Sequence, residues 1–105
     1  TSERPTLITA YPVDKAGNLG AGKLFFDAAE LAKQGIRGGY DGMKVDAKGN
    51  VWTTGPGGVL VINSSGKLIG RIATGNSNSN VAFGGADGKY LFITSDMNLL
   101  SLKIK

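Results

Sequence analysis

Short apolar runs alternate along almost the whole chain with breaks rich in Gly, Asn, Asp and Ser, which is the pattern of a strand meander. Leu7-Ile8-Thr9-Ala10-Tyr11 is the first predicted strand. It is ended by Pro12 and a turn over Asp14-Lys15-Ala16-Gly17-Asn18, with Lys23-Leu24-Phe25-Phe26 as its hairpin partner. The period changes over Asp27 to Gly35, where one short helix is expected, with Asp27 as N-cap, Glu30 as its capping-box partner and Gly35 as the left-handed stop. From Gly42 the pattern is strand and turn throughout. Predicted strands are Met43 to Asp46, Val51 to Thr54, Val59 to Asn63, Lys67 to Thr74, Val81 to Phe83, Tyr90 to Thr94 and Leu99 to Ile104, about nine in all. Trp52 lies inside an alternating strand and is expected in the core.

Two internal echoes sharpen the fold class. Val45 to Thr54 is echoed by Gly85 to Thr94, with Gly49 against Gly88, and Val13 to Leu19 is echoed by Ile62 to Leu68, with Gly17 against Gly66. Each unit reads strand, Asp-x-x-Gly-type turn, strand, which favours the blade of a β-propeller over a plain sandwich. Asp46 and Asp87 are accordingly read as turn residues. The expected architecture is all-β: a partial propeller of about two and a half blades built from antiparallel four-stranded sheets, with one short helix. Residues 1–40 would form an outer hairpin plus helix, 41–75 a full blade, and 76–105 an incomplete last blade.

Composition then limits the chemistry. The 105 residues include no Cys and no His, which excludes disulfides, thiolate or imidazole nucleophile systems, and Cys- or His-ligated metals. Carboxylates, hydroxyls, amides, lysines, or a hard cation on oxygen ligands are left. The net charge of +4 comes from basic residues placed singly, including Arg4, Arg37 and Lys105, with no basic run and no interleaved aromatics. Nucleic acid is therefore not an expected partner. The longest apolar run, Gly58 to Asn63, is too short to span a bilayer, and the first residues carry Glu3 and Arg4 in place of an apolar signal core. A soluble protein with no membrane partner is expected, with nothing to choose between cytoplasm and periplasm. Gly55-Pro56-Gly57-Gly58 lacks the Lys-Ser/Thr ending of a phosphate loop and reads as a hairpin turn.

The run Asp41-Gly42-Met43-Lys44-Val45-Asp46-Ala47-Lys48-Gly49-Asn50-Val51-Trp52-Thr53-Thr54 resembles the C-terminal part of the senescence-marker-protein and gluconolactonase (regucalcin-like) family. Ser79-Asn80-Val81-Ala82-Phe83-Gly84-Gly85 with Leu91-Phe92-Ile93-Thr94 resembles its last blade, and Gly22-Lys23-Leu24-Phe25-Phe26-Asp27 the segment ahead of it. The resemblance implies a six-bladed propeller whose channel holds one divalent cation, calcium or zinc, and a hydrolase acting on sugar lactones. It makes Asp41 a metal ligand and candidate general base, and Asn80 a substrate contact; apart from the resemblance, Lys44 is a candidate channel-facing contact for an anionic substrate group. Without the resemblance, Asp41 reads better as a turn residue bonding its own backbone, and Asn80 reads at least as well as a loop cap. Tyr40 stands where the family commonly has proline, and the family's glutamate ligand and middle-blade asparagine ligand have no counterpart. At about 45 residues per blade one chain does not close a ring. The ring would be completed by copies of this chain or by further blades. The alternative is a non-catalytic oligomeric scaffold, or a fragment with no separate function.

Overall fold

The computed structural model describes residues 6–36 and 38–104; Glu3, Arg4, Arg37 and Lys105 lie outside the described residues. Nine strands and one helix follow in order within them. Strands β1 (Leu7–Ala10) and β2 (Lys23–Asp27) form a two-stranded hairpin. Helix α1 (Ala29–Lys33) follows. Strands β3 (Met43–Val45), β4 (Val51–Gly55), β5 (Gly58–Ile62) and β6 (Leu68–Ile72) make a four-stranded antiparallel sheet, and β7 (Asn78–Gly84), β8 (Tyr90–Ser95) and β9 (Asn98–Lys103) a three-stranded one. Every strand pairs with its sequence neighbour, so the chain is a pure meander of successive blades. A radius of gyration of 14.4 Å exceeds the roughly 13 Å of a compact 100-residue domain, as suits an open sector of a ring.

The turn echo is reproduced atom for atom at three places. Asp14, Asp46 and Asn63 each accept, through Oδ1, the backbone N–H groups two and four residues on, at 2.9–3.0 Å. Gly17, Gly49 and Gly66 close these turns at φ between 85° and 87°, a conformation that side chains rarely adopt. The fourth member departs from the echo, because Gly85 occupies the position that Asp46 holds in its own turn. There Asp87 bonds only the Lys89 N–H, at 3.1 Å.

The helix differs from expectation at one end. Ala28 is its N-cap with no side-chain cap bond, and Asp27 bonds the Ala29 N–H from one position further out, at 2.9 Å. Glu30 pairs with Lys33 at 3.5 Å in place of a capping box. The residue before the cap therefore takes over part of the capping, because Asp27 is still the last residue of β2. The C-terminal stop is as predicted: Gly35 at φ 78° bonds Ala32 O, and the Ile36 N–H bonds Leu31 O.

The core lies between the second and third sheets. Val59, Val81, Leu91 and Ile93 are buried, with Trp52, Ile72, Phe83, Leu100 and Ile104 around them. Trp52 meets Phe83 edge-to-face at 5.6 Å and donates its Nε1–H to Asp46 Oδ2 at 3.0 Å, so one ring joins the blade interface to a turn. On the other face of β5, Leu60 and Ile62 are fully buried. The hairpin is less covered: Leu7, Val13, Leu19 and Leu24 are each more than half exposed.

Candidate functional site

The antiparallel meander sorts the loops to two ends. The Asx turns at 14–17, 46–49 and 63–66 lie at one end, and the loops entering β3 and β7 lie at the other, together with the β4–β5 and β8–β9 turns. Asp41 and Asn80 both sit at this second end.

The Asp41 loop is held by β4. Thr54 Oγ1 accepts the N–H groups of Asp41 and Gly42 at 3.0 and 3.1 Å, and the Thr54 N–H donates to Gly42 O at 2.9 Å. Thr54 is fully buried, so this clamp is fixed by the sheet and shielded from water. The Asp41 carboxylate is exposed and makes no hydrogen bond among the described residues. It does not bond its own backbone, unlike Asp14, Asp46 and Asp87.

Gly42 explains how the loop reaches β7. A Cβ there would overlap the amide of Asn80, so only glycine lets the Asp41 loop pack against this strand. Asn80 stands next to a β-bulge: Asn78 pairs with Ser95 and Asn80 with Thr94, leaving Ser79 as the extra residue, its hydroxyl 2.7 Å from Thr94 Oγ1. Asn80 Oδ1 accepts the Val81 N–H at 2.9 Å, which is the loop-capping role, and its NH₂ donates no hydrogen bond among the described residues. The fold thus brings Asn80 to the Asp41 loop. Lys44 sits on β3 opposite Trp52 with an exposed side chain and, among the described residues, no ion pair or hydrogen bond to either.

Tyr40 and Thr54 were not legible as site residues from sequence. The Tyr40 hydroxyl donates to Thr6 O at 2.7 Å and its ring lies against Gly55, tying the hairpin to the second sheet one residue before Asp41. Burial, followed by the nearby Asp27 charge, pushes the Tyr40 hydroxyl up to about 12, so it stays a neutral donor. Two adjacent threonines ending a strand were the available signal for the clamp.

Asp41 is a single hard-oxygen donor, whereas a calcium cage takes six to eight. Among the described residues no group of three or more acidic, His or Cys side chains comes together. These residues alone do not build a cation cage.

Residues 2–97 match the model of the SMP-30/gluconolactonase/LRE-like region. The chain belongs to this family. A curated gluconolactonase of Zymomonas mobilis is 35% identical over 78 residues, which are 72% of this chain and 22% of that protein. The X-ray structure of a protein assigned as a gluconolactonase superposes with a TM-score of 0.80 at 28% identity, over 93% of this chain and 31% of that one. A Xanthomonas campestris gluconolactonase gives 0.75 at 30% identity, covering 90% and 29%. A luciferin-regenerating enzyme, 23% identical with a TM-score of 0.73, shares the fold. The family chain described here is therefore a β-propeller sector that spans less than a third of these relatives. No helix among the described residues is long and apolar enough to cross a membrane.

Proposed function

We propose that this chain carries one wall of a sugar-lactone hydrolase site, with Asp41 as its general base. The observation that carries this reading is the Asp41 carboxylate, exposed and unbonded on a loop whose two amides are pinned by buried Thr54. A carboxylate so held takes a proton from water as the water oxygen attacks the lactone carbonyl carbon. The ring C–O bond then breaks, the ring oxygen gains a proton, and a hydroxy acid is released. The free NH₂ of Asn80 donates to a substrate oxygen, and Lys44 contacts the carboxylate product. Lactone chemistry is supported by the likeness to gluconolactonases. A divalent cation, calcium or zinc, belongs to this reading only with oxygen ligands from outside these residues.

Activity on this reading requires a completed ring, from copies of this chain or from further blades. The exposed Leu7, Val13, Leu19 and Leu24 of the hairpin support such a covering partner. The second reading, a non-catalytic oligomeric scaffold, is favoured by the lone carboxylate.

Light scattering and acid release from glucono-lactone, measured on one sample, test both. A discrete assembly that hydrolyses the lactone, with Asp41→Asn slower by about 100-fold or more, is expected. An assembly with no rate above background contradicts the hydrolase and leaves the scaffold, whereas an Asp41→Asn variant as fast as the parent contradicts Asp41 as the general base.

A further inference from the structure

The two ends of the blades differ in shape and in charge. At the Asp41 end a cavity of about 640 Å³ opens between the β4–β5 turn, the loop entering β7 and the β8–β9 turn, with Asp96 as the charged group of its lining. Asp27, Glu30, Asp41 and Asp96 stand at this end against Lys33 and Arg71. The Asx-turn end carries the reverse. Lys15, Lys48, Lys67 and Lys89 lie in its turns, Lys23 opens β2 and Lys103 closes β9, six exposed lysines against Asp14, Asp46 and Asp87. Along the sequence these lysines stand singly. An antiparallel meander returns every second connection to the same end, so the fold gathers them onto one surface across all three sheets.

The three aspartates at this end are already engaged. Asp14 and Asp46 accept the backbone N–H groups of their own turns, Asp46 also accepts the Asn50 amide and the Trp52 indole, and Asp87 accepts the Lys89 N–H. Lys89 Nζ stands 3.9 Å from Asp87 Oδ2, and the other five lysines make no ion pair among the described residues.

One connection projects from this surface. Twelve residues, Tyr11 to Gly22, join β1 to β2, whereas five join β3 to β4, β5 to β6 and β7 to β8 at the same end. The projection is preformed: Val13 pairs with Leu19, the Gly20 N–H donates to Pro12 O at 2.7 Å, the Asp14 N–H donates to Asn18 O at 3.0 Å, and Asp14 Oδ1 closes the tip. Opposed residues of an antiparallel pair share a face, so Val13 and Leu19 stand side by side, 63% and 66% exposed. Tyr11, 53% exposed, lies against Gly22 at the base, with Lys15 at the tip and Lys23 beside the base.

We infer that the Asx-turn end is a peripheral docking surface for an anionic lipid bilayer, with Val13, Leu19 and Tyr11 entering the headgroup region and the lysines meeting the anionic headgroups. Charge complementarity selects an anionic surface for this end and turns the acidic Asp41 end away from it, toward solvent. Among the described residues this end carries lysine and no arginine, so its cations are point charges without a fixed fork, which suits a fluid layer of headgroups. No aromatic stacking platform for nucleic-acid bases stands among them. The apolar pair on a rigid hairpin adds burial at the acyl boundary that a purely electrostatic contact does not use. The sequence expectation of no membrane partner rested on spanning and signal segments, which surface binding does not need. Docking here is independent of the chemistry at Asp41.

Co-sedimentation of the full chain with extruded vesicles tests this. Binding to phosphatidylcholine vesicles containing about 30% phosphatidylglycerol is expected, at least about tenfold weaker on phosphatidylcholine alone or in about 0.5 M NaCl. Lys48→Glu should weaken it at least about fivefold, whereas Lys33→Glu, the same charge change at the other end, should leave it within about twofold. Val13→Ser/Leu19→Ser should weaken it about fivefold or more while the light-scattering mass stays that of the parent. No binding to the anionic vesicles, or equal losses from Lys48→Glu and Lys33→Glu, overturns the assignment. Full binding by Val13→Ser/Leu19→Ser, with heparin bound as tightly as the vesicles, would assign the lysines to a soluble polyanion instead. A changed mass in Val13→Ser/Leu19→Ser would also overturn it, because the tip would then belong to a contact with a second copy of the chain.

Discussion

Strand β3 has an aspartate at each end, and the two are used in opposite ways. Asp46 receives the N–H groups of Lys48 and Asn50 on one oxygen and the Asn50 amide and Trp52 indole on the other, all within 3.0 Å. Although desolvation acts to raise its carboxyl, the Trp52 and Asn50 bonds and the backbone amides outweigh it and hold the group at about 2. Asp41, five residues earlier, accepts no hydrogen bond among the described residues; its backbone is bound and its carboxylate is left to solvent. A carboxylate saturated with donors organises a turn and has no lone pair to spare for a proton in transit. A carboxylate on a pinned backbone with no donors of its own is available for chemistry. The same division runs along the blades, with self-satisfied Asx turns at one end and Asp41, Asn80 and Asp96 at the other.

Replacing Asp46 breaks the saturated end most severely. Asp46→Ala strips partners from the Trp52 indole, the Asn50 amide and two backbone N–H groups, and should cost about 2 kcal/mol, seen as a fall in Tm of roughly 10 °C. Asp46→Asn should fall between this and the parent, because it restores the acceptor oxygen but not the charge. A Tm within a degree or two of the parent for Asp46→Ala would remove the structural half of the comparison.

Thr54 tests how the free end is held. Thr54→Val leaves the Asp41 and Gly42 amides without their acceptor, and should lower the lactone hydrolysis rate about tenfold at unchanged KM, while Thr54→Ser restores it. Loss of the rate in both variants alike would assign Thr54 to packing and not to positioning Asp41.

Acid acts on the saturated end next. The Asp46 carboxyl lies lower in the folded chain, at about 2, than its ordinary 3.8, so its stabilisation is complete above that ordinary value and is lost as pH falls from about 4 toward 2. The hydrogen bond from the Asn18 N–H likewise holds Asp14 below the ordinary range, in the same direction. Solvent screening at this partly exposed site limits the Asp46 contribution to about 1 kcal/mol. Urea midpoints at pH 5 and pH 2.5 should therefore differ less in Asp46→Asn than in the parent. An identical pH dependence would contradict the assignment.

The smallest effect is expected at Ser95, whose hydroxyl is fully buried without a partner among the described residues. Ser95→Ala should be neutral or stabilising by up to about 1 kcal/mol in thermal unfolding, because it removes a polar atom already desolvated. A clear loss of stability would show that the hydroxyl has a partner.

Much of this was legible in the chain because the determining interactions are local. Asp14, Asp46 and Asn63 act within four residues, so the Asp-x-x-Gly spacing was enough to place them, and alternation placed Trp52 in the core. The helix start was misread where two local elements compete for one residue, Asp27 being claimed by β2. At the candidate site, Asp41 and Asn80 were singled out through family resemblance, whereas the Thr54 clamp and the cavity beside Asp96 were not legible. The Thr54 clamp joins residues 12 and 13 apart, and the cavity joins three separate turns, so neither leaves a short-range pattern. Gly85 against Asp46 shows the opposite risk, an echo in spacing without the side chain that makes the turn.

The most direct test of the division along β3 is to measure Tm and lactone hydrolysis together for Asp41→Asn and Asp46→Ala. The account predicts a crossed result: Asp41→Asn loses hydrolysis and keeps its Tm, while Asp46→Ala loses Tm and, below its melting range, keeps a rate within a few-fold of the parent. A fall in Tm with full hydrolysis in Asp41→Asn would contradict it, since the carboxylate would then be structural and the reacting group would lie elsewhere.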